Sequence, residues 1–314
     1  MKVQIVTSKG SWSCATTGKG RFIQRLIPAL SRLGVEITED PEDTADISLG
    51  IGKWMYTPKA KKLVVRMGPA HFDKSQDYKS LNKRKIRAIK HSDGVIYQSE
   101  WCRKVGRKFM VPHKNETVIF NGAPILEHRQ FPDNPVFIAA TRKWIPQKRL
   151  KNFIEAYFAA HVENSVLFVF GEHGLNKKQE FIDSRPTGKV IFVGQTTPEV
   201  LHNHMREATA LLHPVYLDAA PNVVVEALAC GLPIVCGNQG GTSEIVKTNG
   251  ITCLDKKWDF KPINLNKPPK LDIDMWARAI KEVAAGFCVL DNSHIDINNI
   301  AKQYAKFFQD ILNG

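Results

Sequence analysis

Two acidic side chains, Asp218 and Glu226, stand eight positions apart in the stretch LLHPVYLDAAPNVVVEALACGLPIVCGNQGGTSEIV, which spans Leu211–Val246. Between and after them come an apolar helical turn, a β-branched run typical of a buried strand, and the glycine pair Gly240 and Gly241. This order predicts a loop at a helix start, a helix, a turn, a strand, a glycine loop and the start of a further helix. Because α/β proteins hold nucleotides and phosphates at the carboxyl ends of strands and at the starts of helices, the stretch predicts such a binding site.

The stretch resembles the donor-site motif of glycosyltransferases that have the GT-B fold and belong to the GT4 type, the glycosyl transferases group 1. In that family an acid and a later glutamate are followed by Ala-Leu/Met-Ala-x-Gly-x-Pro-Val/Ile and then by Gly-Gly-x-x-Glu-Ile-Val. Glu226 takes the second acidic position, and Asp218 takes the first, where glutamate is more usual. The resemblance implies a retaining transfer of a sugar from a nucleoside-diphosphate sugar to an acceptor hydroxyl, with a UDP- or GDP-sugar as the expected donor.

The resemblance also assigns roles to single residues of this stretch. Glu226 would accept hydrogen bonds from the ribose hydroxyls of the donor, because an ionised carboxylate is a good acceptor for two neighbouring hydroxyls. Asp218 would contact the transferred sugar, through a side chain one methylene shorter than the usual glutamate. Further donor contacts are expected from residues close by: Asn222, Val223, Gly240, Gly241 and Thr242.

A basic segment, TRKWIPQKR at residues 141–149, follows a strand-like run. The family carries Gly-Arg-x-x-x-x-Lys-Gly at this place, and the resemblance assigns Arg142 and Lys148 to the donor diphosphate. Lys143 is the alternative first member if the loop is one residue shorter. Fixed cations there would stabilise the negative charge that accumulates on the departing nucleoside diphosphate, Arg through a bidentate fork and Lys as a point charge.

In the first half of the chain, Gly18 and Gly20 lie in the segment TTGKG at residues 16–20, ahead of a helix predicted over 21–33. The segment is not a P-loop, because the G-x-x-x-x-G-K-[ST] pattern is absent. The resemblance places it in the glycine loop that closes over the donor diphosphate. It also places His71 close to the acceptor, with a loop histidine that has no role as the alternative interpretation.

Asp272 and Asp274 form an Asp-x-Asp pair that resembles the metal-binding motif of GT-A transferases. They precede an amphipathic pattern that begins at Met275, so Asp274 is predicted to cap a helix. The six cysteines are scattered without a C-x-x-C pair, which predicts neither a zinc cluster nor a disulfide framework. We therefore expect no metal ion and no cofactor besides the nucleotide-sugar co-substrate.

The composition is that of a soluble globular protein, since the 314 residues are 43% hydrophobic and 24% charged. That length suits about two domains. Apolar runs fall short of the roughly 20 residues that span a bilayer, and the N-terminus lacks the apolar core of a secretory signal. These features predict a cytoplasmic location, with or without peripheral attachment to the inner face of the membrane.

Short β-branched runs alternate with helical patterns along the chain, which predicts parallel sheets built from βαβ units. Strands are expected at 3–7, 45–51, 62–67, 94–98, 117–120, 136–140, 166–170, 189–193, 209–213, 233–236 and 251–254. A proline-containing break at 127–135 predicts a linker. With the resemblance, this pattern predicts a GT-B protein of two Rossmann-like α/β domains whose parallel sheets face an interdomain cleft. The acceptor-side domain would span 1–128 and the donor domain 129–295, with a last helix, about 296–314, packed back on the first domain.

The charge of the chain is concentrated in its first part. Residues 1–125 contain 23 lysines and arginines against 11 aspartates and glutamates, an excess of 12 positive charges, whereas the whole chain carries +13. This asymmetry predicts that the first domain meets an acidic partner. Two partners stay open: a glycan or lipid-linked glycan at an anionic membrane, and nucleic acid, as in phage-type transferases that glycosylate hydroxymethylated DNA bases. The alternative from another class is an inactive nucleotide-sugar-binding module.

Overall fold

The computed structural model describes residues 1–6, 18–54, 56–126, 132–172, 182–186, 188–289 and 291–314. These residues form two compact units. Unit 1 comprises Met1–Pro124, Phe260–Ile263 and Ser293–Gly314, and unit 2 comprises Ile125–Asp259 and Asn264–Asn292. Each unit has its own β-sheet, with helices between the strands, which confirms the predicted α/β class. Within the described ranges, no helix is both long enough and apolar enough to cross a membrane.

The described part of the chain contains thirteen β-strands and nine α-helices. The strands are β1 (Lys2–Val6), β2 (Glu36–Thr38), β3 (Ala45–Ile51), β4 (Ala60–Met67), β5 (Gly94–Tyr97), β6 (Glu116–Val118), β7 (Val136–Lys143), β8 (Val166–Glu172), β9 (Ile182–Arg185), β10 (Gly188–Gly194), β11 (Ala210–His213), β12 (Ile234–Gly237) and β13 (Gly250–Cys253). The helices are α1 (Gly18–Ser31), α2 (Tyr78–Lys90), α3 (Glu100–Phe109), α4 (Leu150–Ala159), α5 (Pro198–Arg206), α6 (Asn222–Ala229), α7 (Thr242–Val246), α8 (Ile273–Ala284) and α9 (Ile297–Asn313).

Unit 1 is built on a six-stranded parallel sheet in the order β2-β1-β3-β4-β5-β6. β1 lies between β2 and β3, since Val3 pairs with Ile37 on one side and with Ile47 on the other. The chain therefore moves outward from β1 to β2 and then continues on the opposite side of β1. Connections that leave neighbouring strands in opposite directions open a crevice at the carboxyl ends, so the boundary between β1 and β3 is a candidate ligand site.

The core of unit 1 follows from the helical spacing of apolar residues. Buried apolar residues of α1 include Phe22, Leu26 and Leu30. Those of α9 include Ile300, Tyr304, Phe308 and Ile311. The ring centroids of Phe22 and Tyr304 lie 6.0 Å apart, so the last helix packs against the first. Full burial of each large apolar side chain contributes about 1.5–3 kcal/mol, and this packing therefore fixes the C-terminal segment in unit 1.

Unit 2 is built on a seven-stranded sheet in the order β13-β12-β11-β7-β8-β10-β9. Six strands run parallel, and β9 pairs antiparallel with β10 at the edge. The chain first adds β8 and β10 on one side of β7 and later adds β11, β12 and β13 on the other. The switch point of unit 2 therefore lies between β7 and β11, which pair through Phe137 with Ala210 and through Ile138 with Leu211.

The start of α8 corrects one sequence prediction. Asp272, and not Asp274, is the N-cap, because its carboxylate accepts a hydrogen bond from the N–H of Met275 at 2.9 Å. Asp274 lies inside the first turn, where its charge is favourable near the positive end of the helix dipole. Both acids precede the apolar pattern, so only the backbone conformation distinguishes the cap from the first turn. Farther on, Trp276 packs edge-on against Phe153 of α4, with ring centroids 6.2 Å apart.

The predicted strands are confirmed, with ends that differ by no more than three residues, but the sequence did not predict β2 and β9. Both are edge strands of only three and four residues, too short for a recognisable strand pattern. α1 begins at Gly18, so Gly18 and Gly20 lie in its first turn and not in a loop. The apolar periodicity begins only at Phe22, which leaves the polar first turn unmarked. Residues 7–17, which include Thr16 and Thr17, and residues 127–131 of the predicted linker lie outside the described residues.

Candidate functional site

The site residues predicted for unit 2 gather at the carboxyl ends of three neighbouring strands. Arg142 and Lys143 end β7, and Lys148 lies in the loop that follows. Asp218 lies in the loop after β11, and the glycine pair lies in the loop after β12. Because β7, β11 and β12 are adjacent in the sheet, their loops meet at one edge. The switch point of unit 2 therefore carries both the cations and the acids that the sequence singled out.

Two hydrogen bonds tie the loop after β7 to the loop after β11. The N–H of Tyr216 donates to the carbonyl oxygen of Gln147 at 3.2 Å. In return, Nε2 of Gln147 donates to the carbonyl oxygen of Tyr216 at 2.7 Å. This reciprocal pair fixes the backbone directly before Lys148 and directly before Leu217. The two side chains of chemical interest, Lys148 and Asp218, are thereby held in one place.

Lys148 is a partly buried cation beside an acid. Its Nζ donates to Oγ1 of Thr141, at the end of β7. Burial lowers the pKa of Lys148, and the negative charge of Asp218 opposes that effect. An anion bound next to the amine would favour its protonated form further. Lys148 is therefore a cation whose protonated fraction would increase when an anionic ligand binds.

Arg142 and Lys143 differ in their surroundings, which separates the two candidates for the first cation. Nζ of Lys143 pairs with Oε1 of Glu172 at 3.1 Å, whereas exposed Arg142 forms no ion pair with any described residue. A register shift after Ala140 distorts this end of β7. It is possible only because Gly171 stands opposite, with a φ of +110°: a Cβ there would lie 1.8 Å from the carbonyl oxygen of Thr141. The guanidinium of Arg142 is thus the one of these two cationic groups that is available to a ligand.

The glycine pair holds the Asp218 loop. Gly240 forms a parallel bridge with Asp218, and the N–H of Gly241 donates to the Asp218 carbonyl oxygen at 2.7 Å. Gly240 has a φ of +122°, and a Cβ on it would lie 2.5 Å from that same oxygen. Only glycine allows so close an approach. The Gly241 N–H, which the sequence assigned to the donor, is therefore used in this structure to position Asp218.

The side chain of Asp218 has a histidine neighbour that the sequence analysis missed. Nε2 of His213 lies 3.3 Å from Oδ2 of Asp218, whose side chain is 30% exposed. His213 is buried at the end of β11, and Nε2 has no hydrogen-bond partner among the described residues. The local sequence signal for His213 was its position at the end of a predicted strand, directly after two leucines. His213 therefore lies next to the shorter acid, at the place where the family usually has glutamate, without a hydrogen bond to it.

Glu226 is held inside α6 with only 2% of its side chain exposed. Nε2 of His202, on α5, lies 3.6 Å from Oε2 of Glu226. A carboxylate is buried at lower cost where polar groups lie close to it, and His202 is one such group. His202 was not singled out in the sequence, because nothing local connects α5 to α6. The two histidines, His202 and His213, each accompany one of the two acids.

The remaining predicted donor contacts flank these acids. Asn222 and Val223 form the start of α6, where the first helical turn presents N–H groups that the helix itself does not satisfy. Thr242 follows the glycine pair and is buried. Its hydroxyl has no hydrogen-bond partner in the described part of the chain. Leaving such a group unsatisfied costs about 1–3 kcal/mol, which a bound ligand could recover.

A buried ion pair supports the whole switch point. The guanidinium of Arg149 donates to both carboxylate oxygens of Asp255, at 2.5 and 2.8 Å, and its Nε donates to the carbonyl oxygen of Pro214 at 2.8 Å. Arg149 and Asp255 side chains are 1% and 2% exposed. The pair joins the loops that follow β7, β11 and β13. No local sequence pattern predicts this pair, since the partners are 106 positions apart.

In unit 1, His71 lies in the loop after β4, where Asn82 of α2 holds its backbone. The N–H of His71 donates to Oδ1 of Asn82 at 2.8 Å, and Nδ2 of Asn82 donates to the carbonyl oxygen of His71 at 2.8 Å. Burial, followed by the charges of Lys85 and Lys19, lowers the pKa of His71 to about 4. The ring is therefore neutral near pH 7 and can donate one hydrogen bond and accept another.

Two Rossmann-like α/β units, the second with cations and acids at its switch point, place the protein in the class of GT-B proteins. Solved structures with this fold match nearly the whole chain. They include sucrose-phosphate synthase of Thermosynechococcus elongatus (TM-score 0.70, 15% identity, 100% of this chain and 99% of that one), Anabaena HepE in complex with UDP-glucose (0.62, 15%, 99% and 100%) and the apo form of the lipopolysaccharide outer core galactosyltransferase WaaB (0.58, 15%, 100% and 99%). This likeness confirms the predicted GT-B fold.

The family model described as Glycosyl transferases group 1 matches residues 125–285, which is more than half of the chain. The protein therefore belongs to the glycosyl transferases group 1 and is a glycosyltransferase, as the sequence resemblance predicted. All the donor-site candidates of unit 2 lie within the matched residues. No curated protein matches the chain significantly.

Proposed function

We propose that this glycosyltransferase moves a sugar from a nucleoside-diphosphate sugar to an acceptor hydroxyl, with retention of the anomeric configuration. The observation that carries the proposal is the switch point of unit 2, where Lys148 lies beside Asp218 and Arg142 extends from the adjacent strand end. Two cations suit a diphosphate, and an acid suits sugar hydroxyls. Anabaena HepE, which shares the fold, has been solved with UDP-glucose and with UDP, so a uridine diphosphate sugar is the first donor to test.

In the proposed reaction, the bond between the anomeric carbon and the phosphate oxygen breaks, and negative charge accumulates on the departing diphosphate. Arg142 would bind two phosphate oxygens through its planar fork, and Lys148 would hold a third as a point charge. Preorganised donors of this kind contribute about 2.7–4 kcal/mol each to the stability of the transition state. These two side chains neutralise the diphosphate, so the scheme assigns no role to a metal ion.

The acids serve binding in this proposal and not nucleophilic attack. Glu226 would accept hydrogen bonds from the ribose hydroxyls, and Asp218, which lies beside His213, would bind a hydroxyl of the transferred sugar. The acceptor oxygen then bonds to the anomeric carbon on the face that the diphosphate leaves. Its proton passes to the departing phosphate oxygen. Retention follows because the incoming and departing oxygens share one face.

The charge of unit 1 favours an acidic acceptor or an acidic surface around it. Exposed cations on α2 and α3 are Lys79, Lys83, Arg84, Arg87, Lys90, Lys104, Arg107 and Lys108. A lipid-linked or envelope glycan at an anionic membrane fits this charge, and hydroxymethylated DNA is the second candidate. Phosphate contacts make DNA binding fall steeply between about 50 and about 200 mM salt. Such a loss on duplex DNA, without binding to anionic vesicles, would select the DNA candidate.

The donor class is tested by a thermal-shift screen against UDP, GDP, ADP, CMP and dTDP, each alone and as common sugar conjugates. A ligand at about 100 times its dissociation constant stabilises the folded protein by about 2.7 kcal/mol, which raises the melting temperature clearly. One nucleotide that stands out identifies the donor base. The absence of any shift would contradict donor binding. Hydrolysis of the selected nucleotide sugar without acceptor would rule out an inactive binding module.

Replacing Glu226 with alanine is expected to weaken donor affinity about ten- to a hundredfold, because hydrogen bonds to a charged group contribute about 1.5–3 kcal/mol. Titration calorimetry with the nucleotide sugar measures the change. Glu199→Ala removes an exposed glutamate from α5 and serves as the matched control. Glu226→Gln keeps the buried shape and shows whether a loss comes from the charge or from packing. Unchanged affinity in well-folded Glu226→Ala would contradict the assignment to the ribose.

A further inference from the structure

A second group of basic side chains lies at the switch point of unit 1. Lys19 stands in the first turn of α1, which follows β1, and Lys53 follows β3, the strand on the other side of the switch. His71 follows β4, the next strand in the sheet, and Lys85 belongs to α2. Four distant parts of the chain thus bring basic side chains to one edge of the sheet. Lys19, His71 and Lys85 are called the unit 1 cluster below.

A backbone hydrogen bond holds one amine of the unit 1 cluster, and a second amine lies close to the backbone. Nζ of Lys85 donates to the carbonyl oxygen of Pro69 at 2.5 Å, which ties α2 to the loop after β4. Nζ of Lys19 lies 3.3 Å from the position that a Cβ on Gly52 would take, and Gly52 has a φ of +80°. Glycine directly after β3 therefore lets the Lys19 amine lie against the backbone. The fold, and not chance surface placement, positions these amines.

Positive charge in the unit 1 cluster disfavours the protonated form of its other members. Desolvation, together with the charge of Lys19, lowers the pKa of Lys85 to about 8. Burial, then the charges of Lys85 and Lys19, gives His71 its low pKa. Across the described ranges, no acidic side chain forms an ion pair with any of the three residues. The neighbouring segment 7–17 contains Lys9 but no Asp or Glu. An anionic ligand would supply the missing negative charge.

Arg66 adds positive charge near the unit 1 cluster. Its guanidinium lies 4.2 Å from the ring centroid of Phe22 and donates to Oδ1 of Asn121. Both of these partners are neutral, so they leave its charge uncompensated. After desolvation, the charge of Arg66 is the largest cause that lowers the pKa of Lys19. Cations gathered in a partly buried place are costly unless an anion accompanies them.

We propose that Lys19, His71 and Lys85 bind a phosphate-type oxyanion carried by a carbohydrate acceptor, so that the acceptor is a phosphorylated sugar or polyol. The assignment of this ligand as the acceptor rests on the proposed glycosyl transfer, whereas the anion site itself depends only on residues of unit 1. Lys85 and His71 are only partly exposed, whereas Lys19 is exposed, so a compact anionic group at the end of a small molecule could reach all three. Two ammonium groups and one neutral imidazole N–H match the three terminal oxygens of a phosphate monoester.

The first test measures the affinity for sulfate, a stable dianion, by titration calorimetry with and without saturating UDP. Lys85→Met removes the amine and keeps most of the apolar stem, and the affinity should fall at least about tenfold. Lys79→Met removes an exposed charge from the first turn of the same helix and should change the affinity less than about twofold. No loss in Lys85→Met, or equal losses in both variants, would overturn the site. If Lys85→Met melts early, His71→Asn provides the same comparison.

The second test separates the acceptor from other carriers of the same anion. Glycerol 3-phosphate and glucose 6-phosphate should compete with sulfate for the UDP-saturated protein, whereas glycerol and glucose should not. Competitive displacement of sulfate by UDP itself would assign the unit 1 cluster to the donor diphosphate and overturn the acceptor assignment. Competition by a short DNA duplex, but not by the monoesters, would overturn it in favour of a nucleic-acid acceptor.

Failure of the proposed transferase function has a different signature from failure of the anion site. If UDP and nucleotide sugars do not bind while sulfate binding persists and depends on Lys85, the glycosyl transfer is contradicted and the anion site stands. If nucleotide sugars bind and are hydrolysed while sulfate does not bind, the anion site alone is overturned. Transfer of sugar to glucose 6-phosphate or glycerol 3-phosphate, reduced in Lys85→Met through a higher KM, would support both.

Discussion

Replacing Lys148 with methionine is expected to lower the turnover of sugar transfer at least about a hundredfold, the effect of one lost transition-state donor. The amine of Lys148 donates to Thr141 and lies beside Asp218, so its position is set before the donor binds. Methionine keeps most of the apolar stem but removes the charge that stabilises the departing diphosphate. Single-turnover kinetics at saturating donor measure this loss, because they isolate the bond-breaking step from binding.

Three comparison variants make the Lys148 result specific. Arg142→Ala should cause a similar loss of about a hundredfold or more. Lys143→Met should cost less than about tenfold, since the amine of Lys143 already pairs with Glu172 on the surface. Lys151→Met removes an exposed lysine from α4 and should behave like the wild type. Near-normal turnover in both Arg142→Ala and Lys148→Met would refute the diphosphate assignment, and a larger loss in Lys143→Met than in Arg142→Ala would move the first cation by one residue.

Replacing Asp255 with alanine is expected to destabilise unit 2 by about 3–5 kcal/mol, because it leaves the guanidinium of Arg149 buried without its carboxylate. Both side chains are almost completely buried, and the pair makes two hydrogen bonds. Denaturant unfolding measures the change in the free energy of unfolding, and differential scanning calorimetry checks it independently. The loops that carry Lys148 and Asp218 should loosen together, so donor affinity should fall as well.

We attribute this destabilisation to the burial of the Arg149–Asp255 pair and not to the loss of an ion pair as such. Asp310→Ala breaks an exposed pair with Lys306 on α9 (2.8 Å) and should therefore cost no more than about 1 kcal/mol. The double variant Arg149→Met with Asp255→Leu removes both charges and should recover much of the stability lost in Asp255→Ala. Equal effects of Asp255→Ala and Asp310→Ala would contradict the argument.

The amino-acid sequence was sufficient for the α/β class, for the strands at the centres of both sheets and for the family. These features depend on local patterns: β-branched runs bury on both faces of a parallel sheet, and apolar spacing on α1 and α9 matches one helical face. The segment from Asp218 to Val246 also folds in the predicted order of loop, helix, turn, strand, glycine loop and helix. Arg142, Lys148 and Asp218 lie at one edge of the sheet in unit 2, because the loops after adjacent parallel strands meet there.

Only the tertiary structure decided which groups touch one another. The Arg149–Asp255 pair, the histidines beside Asp218 and Glu226, and the unit 1 cluster join segments that are distant in sequence, and no local periodicity records such contacts. The edge strands β2 and β9 are defined by pairing and not by composition. Gly240 illustrates both the local sequence signal and the tertiary contact. Its residue type marks a close approach, but only the assembled sheet places the Asp218 carbonyl oxygen where a Cβ would stand.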